Sequence, residues 1–312
     1  AASDVYKRQV LELMRDRLLK GLVGLLGMLP FSWVGALGAA VGRLLYRQQG
    51  REVRNARVNL GLCFPQLSET QRESMVRENL IQTGRSLAQM LRIWVGPRRD
   101  WAEAVDENGF YETAGELIGR GKGLIIAMPH MGNWELIAYL ATRVCPATAL
   151  YRPPRQAFMD QLMLQGRERS GLVPVPTDRQ GLKALHAALQ RGEIVGILPD
   201  QVPKAAGASG VLAPFFGHPA LTMTLVSRLA RRHQTPILFA CAIYDQALGS
   251  HRMHYFEGDP AVADTDSEVA AAALNRGVEQ CIGQFPSHYQ WAYRRFEIPG
   301  AEHPSPYARK KA

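Results

Sequence analysis

The sequence predicts an α/β protein. One domain is expected on a central, largely parallel or mixed sheet flanked by helices, with an N-terminal hydrophobic helical anchor. Three observations carry this. From residue 121 onward, short apolar runs alternate with segments of helical period, as in a parallel sheet with crossover helices. Before them stands an uncharged run, Gly21–Gly42, as long as the roughly 20 residues a membrane span needs. Composition is ordinary, 46% hydrophobic and 21% charged, which excludes disordered, collagen-like and multi-span membrane classes.

The chain divides into a basic N-terminal segment (1–20), the anchor (21–42), a catalytic domain (43–298) and a basic C-terminal tail (299–312). The first nine residues, beginning Ala-Ala-Ser-Asp, are set aside as a candidate fragment edge or tag remnant. Both flanks of the anchor are cationic: Lys7, Arg8, Arg15, Arg17 and Lys20 before it, Arg43, Arg47, Arg51, Arg54 and Arg57 after it. Positive charge on both sides fits a monotopic anchor or a weakly oriented single span, and it attracts anionic head groups. Pro30 can split the run into two amphipathic pieces lying in the interface. A buried core helix is the competing reading.

Ser68-Glu69-Thr70-Gln71 reads as a capping box, and Val76, Leu80, Leu87, Leu91 and Trp94 recur at helical spacing, predicting a helix over 69–95 that Gly96-Pro97 ends. Gly121-Lys122-Gly123 is a turn, followed by strand Leu124–Met128 and a helix over 133–143. Strand 147–152, helix 157–170, strand 172–176, helix 179–191 and strand Ile194–Leu198 continue the alternation. A Pro/Gly-rich loop is expected from Pro199 to Pro219, then helix 220–233, strands 236–244 and 251–257, and helix 266–284.

The net charge is +9, and 30 of the 37 cations are arginine, the side chain whose fork matches phosphates and carboxylates. An acidic partner follows: anionic lipid, nucleic acid or an acidic protein. Cys63, Cys145, Cys241 and Cys281 form no C-x-x-C, so neither a disulfide framework nor a zinc site is expected, and a reducing compartment fits. There is no P-loop and no G-x-G-x-x-G, so no nucleotide site is expected.

The chemistry concentrates where strand 124–128 runs into Met128-Pro129-His130-Met131-Gly132-Asn133-Trp134-Glu135. Ligands in such folds bind outside the carboxyl ends of strands. His130 falls there, and Glu135 falls in the first turns of the next helix. An imidazole oriented by a carboxylate can take a proton from a hydroxyl near neutral pH. Gly132 permits close backbone approach, and the helix N-terminus offers amide donors to an oxyanion. Asn133, in the same turn, is a substrate-binding candidate. The spacing alone is weak, because His254 and Asp259 repeat it inside a strand pattern with no glycine turn, where a structural or surface role is the reading. The strand–turn–helix context brings a catalytic His130 level with a satisfied core histidine.

The string Gly121–Glu135 resembles the H-x4-E motif of the late lipid A biosynthesis acyltransferases, a branch of the glycerolipid acyltransferase superfamily. Further blocks are similar in the same order: Tyr151-Arg152-Pro153; Gly166 through Gly171, with Arg167 and Arg169; Leu198-Pro199-Asp200-Gln201; Pro214-Phe215-Phe216-Gly217; and Trp291 with Arg294-Arg295-Phe296. The resemblance runs from about residue 12 to 298. It implies transfer of a fatty acyl group from acyl carrier protein, the co-substrate, to the hydroxyl of a 3-hydroxyacyl chain on a lipid A precursor, with no metal, nucleotide or other cofactor. His130 would be the general base and Glu135 would orient it. An inner-membrane enzyme facing the cytoplasm follows, with acyl carrier protein, an anionic lipid A precursor and the membrane as partners and no nucleic acid.

Of the remaining candidates, Arg167 and Arg169 both fit the family's arginine position, where one would hold a lipid phosphate or the thioester oxygen. Asp200, at a strand end, would orient an arginine or the acceptor, against a plain turn aspartate. Arg152 would contact anionic substrate or simply mark a strand exit. Phe215 and Phe216 would line an acyl tunnel or wedge into lipid, although aromatics are more often core. Arg228, Arg231 and Arg232 share one helix and could dock acyl carrier protein, with a solvated face slightly favoured. Three rivals stand beside the main reading: acylation of another acceptor (a lysophospholipid, ornithine lipid or glycolipid), a non-catalytic basic membrane- or nucleic-acid-binding protein, and a histidine-centred thioesterase.

Overall fold

The computed structural model describes residues 21, 23–97, 101, 103–154, 156–203, 210–299 and 305–308. The basic segment 1–20 and most of the tail 299–312 lie outside the described residues.

Among the described residues no helix is long and apolar enough to cross a membrane. The expected anchor does not form one span. Proline cannot continue a helix whose turn needs its N–H, and the run breaks into a turn before Pro30 and restarts as α1 (Phe31–Gln48). The run is split at Pro30, as the two-piece reading expected. Val34, Gly35, Gly38, Ala39 and Gly42 are buried, while Trp33 (65% exposed), Leu37, Val41 and Leu44 face outward. This reverses the usual amphipathic order. The small residues face inward because α1 crosses α3 (Glu69–Val95) at backbone contact: a Cβ on Gly42 would stand 2.1 Å from the Leu80 carbonyl oxygen. Between them, α2 (Arg51–Cys63) was not foreseen, since its apolar face carries Asn55 and Asn59 in place of aliphatics. The capping box on α3 is complete in both directions, Ser68 Oγ accepting from Gln71 N and Gln71 Oε1 from Ser68 N.

The sheet has seven strands: β1 (Val105–Asp106), β2 (Leu124–Ala127), β3 (Ala147–Tyr151), β4 (Leu172–Pro176), β5 (Ile194–Ile197), β8 (Ile237–Asp245) and β9 (Ser250–Glu257). Their order is β1-β9-β8-β2-β5-β3-β4, and only the β8–β9 pair is antiparallel. The sheet is therefore mixed. Crossover helices α5 (Trp134–Val144), α6 (Ala157–Ser170) and α7 (Arg179–Gln190) join β2 through β5, and α4 (Phe110–Gly119) precedes β2. The expected strand–helix alternation from 124 to 197 matches these elements closely.

One correction falls between 199 and 223. The expected loop and the first turn of the following helix contain an antiparallel hairpin, β6 (Gly210–Phe215) and β7 (His218–Met223), so α8 (Leu225–His233) starts later than expected. The alternation of this segment is broken by prolines on the exposed side of the pair, which hid its period. The long C-terminal helix α9 (Ser267–Gln284) packs on β6 and β8.

Two apolar layers enclose the sheet. One joins α2, α3, α7, α8 and α9 to the side chains of Ile125, Ala127, Phe239 and Cys241. The other joins α4 and α5 to Ile126, Leu238 and Ala240. Phe215 is fully buried in the first layer and Phe216 packs against it and Trp291, so these aromatics are core. His254 lies on β9 with its ring against Phe285, as its structural reading expected.

Candidate active site

The connections leaving β2 and β5 run in opposite directions across the sheet. From β2 the chain passes β5 to reach β3, and from β5 it passes β2 to reach β8. Such a switch point opens a crevice at the carboxyl ends of the two strands. β2 and β5 are parallel neighbours with Ala127 beside Ile197. His130 and Asp200 each follow three residues later, one on either wall of that crevice.

They meet there. His130 Nδ1 lies 2.8 Å from Asp200 Oδ1, and the His130 backbone N–H donates to Asp200 Oδ2 at 3.1 Å. Asp200 is 2% exposed, whereas the His130 side chain keeps 16% of its surface, on the rim of the crevice. Burial works against the Asp200 carboxylate, but the imidazole beside it and the hydrogen bonds from His130 hold its pKa below the ordinary aspartate value. A carboxylate on Nδ1 fixes the tautomer that leaves Nε2 as the free base and stabilises the imidazolium once formed. Trp134 stands edge-on to the imidazole at 5.3 Å between ring centroids.

The partner of His130 is thus Asp200, in place of the Glu135 that the five-residue spacing suggested. Glu135 is buried on the first turn of α5 and pairs with Arg167 of α6: Nη2 to Oε1 is 2.6 Å, and Nε lies 3.2 Å from Oε2. Both side chains are nearly covered, Glu135 at 3% and Arg167 at 12% exposed. Burial opposes the Arg167 charge, and Glu135 more than restores it, leaving the guanidinium pKa raised. The helix explains the division. A residue in the first turn points back along α5 toward its neighbour α6, while the imidazole at the strand end faces β5.

Arg169 is separated from Arg167 by half a turn and goes elsewhere. It donates to the backbone oxygens of Ile93, Trp94 and Gly96 at the end of α3 and lies 5.9 Å over the Trp101 ring. It ties α6 to α3 and stands apart from the crevice. Asn133 is also turned inward: it is fully buried, and neither amide atom of its side chain has a partner among the described residues. Its backbone N–H donates to the Ala242 carbonyl at 2.9 Å, which pins the start of α5 to β8. Arg152 follows β3 on the crevice side and is exposed, with its charge felt at Tyr293. Arg228, Arg231 and Arg232 lie on α8, which runs back toward the amino ends of the strands, and Arg231 caps the carbonyls of Asp264 and Thr265. They are at the far end of the sheet from His130, which favours the solvated-face reading.

Sequence reasoning missed the segment that clamps the His130 turn. Gln290 N donates to His130 O (3.0 Å), Gly132 N donates to His288 O (3.1 Å), and Met131 bridges Tyr289. Buried asparagines hold this segment in turn: Asn55 to Ala292 O, Asn59 to Trp291 O and Tyr293 O, and Asn79 to Ser287 O. Asn55 and Asn59, four residues apart on an otherwise apolar helix face, were the available signal. Tyr293 Oη accepts from Val202 N, joining the clamp to the loop that carries Asp200. Buried Arg295 donates to Leu221 O, Thr222 Oγ1 and Asn275 Oδ1, so the C-terminal Trp-x-x-Arg-Arg-Phe block fastens the β6–β7 hairpin to α9.

The site is a strand-end imidazole backed by a buried carboxylate, with a buried Arg–Glu pair one helix turn away. The profile of the bacterial lipid A biosynthesis acyltransferases matches residues 7–297, and the chain belongs to that family. It is 29% identical to the lipid A biosynthesis lauroyltransferase of Escherichia coli K12 over 288 residues, 92% of each chain. The palmitoleoyltransferase of the same organism is 28% identical over 277 residues, 89% of each chain. The E. coli myristoyltransferase is 25% identical over 87% of this chain and 83% of its own length. The protein is therefore an acyltransferase of lipid A biosynthesis.

Proposed function

We propose that the enzyme moves a fatty acyl group from the thioester of acyl carrier protein to the hydroxyl of a 3-hydroxyacyl chain on a lipid A precursor. The observation that carries this reading is the His130–Asp200 pair at the open end of the crevice, within a family defined by lipid A acylation. His130 Nε2 takes the hydroxyl proton as the oxygen attacks the thioester carbonyl. The C–O bond forms, the tetrahedral oxyanion collapses, the C–S bond breaks, and the imidazolium returns its proton to the departing thiolate. Asp200 steadies the imidazolium without taking the proton. Glu135 acts through Arg167. It aims the guanidinium and leaves Nη1, which has no acceptor among the described residues, to donate to an oxygen of the thioester or a lipid phosphate. Each step needs only side chains of this chain and the two substrates.

The site works at the cytoplasmic face of the inner membrane. The outward apolar face of α1 rests on lipid, and the exposed Arg43, Arg47, Arg51 and Arg54 beside it meet anionic head groups. A net charge of +9 suits both an acidic carrier protein and a phosphorylated acceptor.

The test is incubation of the purified protein with mixed acyl carrier protein thioesters and a tetra-acylated, sugar-acid-bearing lipid A precursor, read by mass spectrometry. A gain of one acyl chain, absent with His130→Ala, is the expected result. Intact thioesters and no gain would move the assignment to another acceptor lipid, and free fatty acid as the only product would make the enzyme a thioesterase.

A further inference from the structure

An apolar groove of about 430 Å³ lies between α1 and α3. Val41 and Leu45 of α1 form one wall, and Leu80, Leu87 and Leu91 of α3 form the other. From Leu80 to Leu91 it follows the helix for about 16 Å, at 1.5 Å per residue. Its lining is nearly all hydrocarbon, and Glu52 at one end is the only charged side chain on it among the described residues. The groove exists because Gly38, Gly42 and Gly84 bring the two helix backbones together, so the larger side chains on either flank stand apart.

Its two borders lead to different places. Along its length it opens beside the exposed apolar face of α1, where Val41 (54% exposed) and Leu45 (37%) belong to both. On the inner side it is closed by Gln290, Ala292 and Tyr293, the segment that clamps the catalytic turn. Thr83, Leu87 and Gln290 also line a narrow gap of about 10 Å³ against Met131, Gly132 and Trp134. Trp134 stands against the His130 ring. The groove thus runs from the surface that meets lipid to the wall of the catalytic turn.

We propose that this groove seats the tail of the acceptor's 3-hydroxyacyl chain, the hydrocarbon beyond the carbon that carries the nucleophilic hydroxyl. The proposal rests on the acyl-transfer reading above. Its occupant follows from the borders. A chain of a membrane lipid enters sideways from the bilayer through the open flank, whereas a chain delivered on a soluble carrier protein arrives from water. With the tail in the groove, the hydroxyl carbon sits at the groove's rim by Tyr293, whose hydroxyl accepts from Val202 N beside the Asp200 loop, while the sugar and phosphates stay at the head-group level, where Arg152 stands exposed. Binding energy from the remote tail would then position the reacting hydroxyl.

The test uses the whole chain and an acceptor lipid with a photoreactive diazirine at the end of its 3-hydroxyacyl tail. Irradiation is expected to label peptides that contain Val41, Leu45 or Leu91. Val41→Trp fills the groove from a half-exposed position (54%) away from the catalytic turn, so the core need not repack. It is expected to raise KM for the long-tailed acceptor about tenfold, equivalent to roughly 1.4 kcal/mol, and to leave KM for a short-tailed acceptor and for the thioester unchanged. Labelling confined to residues that do not line the groove, or an equal effect of Val41→Trp on long and short tails, would overturn the groove. Turnover by the unaltered enzyme with either of those results removes the groove and keeps the acyl-transfer reading. Groove labelling without any acyl transfer by the unaltered enzyme removes that reading and, with it, the identity of the seated tail as the acceptor's.

Discussion

His130 and Asp200 stand three residues beyond Ala127 and Ile197, which lie side by side on the parallel strands β2 and β5, and this equal offset brings Nδ1 to 2.8 Å from Oδ1. Two strand ends seventy residues apart deliver one dyad because the register of the sheet sets both lengths. The consequence is that the two carboxylates near the site have separable roles.

Asp200→Asn keeps the shape but can no longer stabilise the imidazolium, and it is expected to lower kcat by about 10²- to 10⁴-fold with little change in KM. Glu135→Gln weakens the hold on Arg167 and is expected to act on KM as well as kcat. Steady-state kinetics of both variants in the acyl transfer assay decides this. Equal patterns would contradict the division.

Gly132 has φ +57°, and a Cβ there would lie 2.0 Å from the Ala242 carbonyl oxygen. Left-handed backbone and a backbone clash together leave no relaxed position for a side chain. Gly132→Ala is expected to cost more than about 2 kcal/mol and to shift the His130 turn away from Asp200. Thermal unfolding together with residual activity checks it. A variant with unchanged Tm and activity would mean that the turn has room the geometry denies.

Arg167→Ala leaves the Glu135 carboxylate buried without its partner. Breaking one side of a covered ion pair costs about 3–5 kcal/mol, far more than loss of an exposed pair. The same truncation at exposed Arg276, 3.4 Å from Asp259, is expected to leave stability nearly unchanged, because solvent screens that pair. Chemical denaturation of the two variants gives the contrast, and similar losses would refute it.

The sequence made the parallel core readable where each run had one period. The strands over 124–197 and their crossover helices alternate cleanly, and the capping box marked the start of α3 to the residue. What escaped depended on contacts distant in sequence. The pairing of His130 with Asp200 needs the β2–β5 register, and local spacing pointed instead to Glu135, five residues on. The choice between Arg167 and Arg169 needed the positions of α3 and α5. The hairpin at 210–223 was masked by prolines that broke its alternation. The hydrophobic run before residue 43 was visible, but its length hid that the glycines and not the leucines face inward.

His251 is fully buried on β9 between the rings of Phe31 and Tyr244, and neither ring nitrogen has a partner among the described residues. Burial, with His288 and Arg85 nearby, pushes its pKa down to about 3. The unfolded chain therefore binds the proton from about pH 6.5 downward while the folded chain refuses it. Stability is complete above that value and falls as the pH drops toward 3. At pH 5 the difference from an unfolded value near 6.5 amounts to about 2 kcal/mol from this one group. Urea denaturation at about pH 7.5 and about pH 5, either side of that unfolded value, is expected to show the loss, and His251→Leu to reduce it by about that amount. An unchanged acid loss in the variant would rule out His251 as its source.

The outward face of α1 yields the last prediction. Trp33, Leu37 and Leu44 project from a helix whose inner side is glycine and alanine, so charging them disturbs no core contact. Leu37→Glu with Leu44→Glu is expected to leave Tm unchanged and to weaken binding to vesicles containing anionic phospholipid by at least about tenfold, since two buried leucines contribute roughly 1.5–3 kcal/mol each. The arginines beside the face supply a second, screened attraction. Raising the salt concentration should therefore weaken binding of the unaltered protein only in part, and should nearly abolish the residual binding of the double variant. Sedimentation with vesicles at two ionic strengths measures both effects. Vesicle binding that survives the two substitutions at high salt would place the lipid contact elsewhere on the molecule.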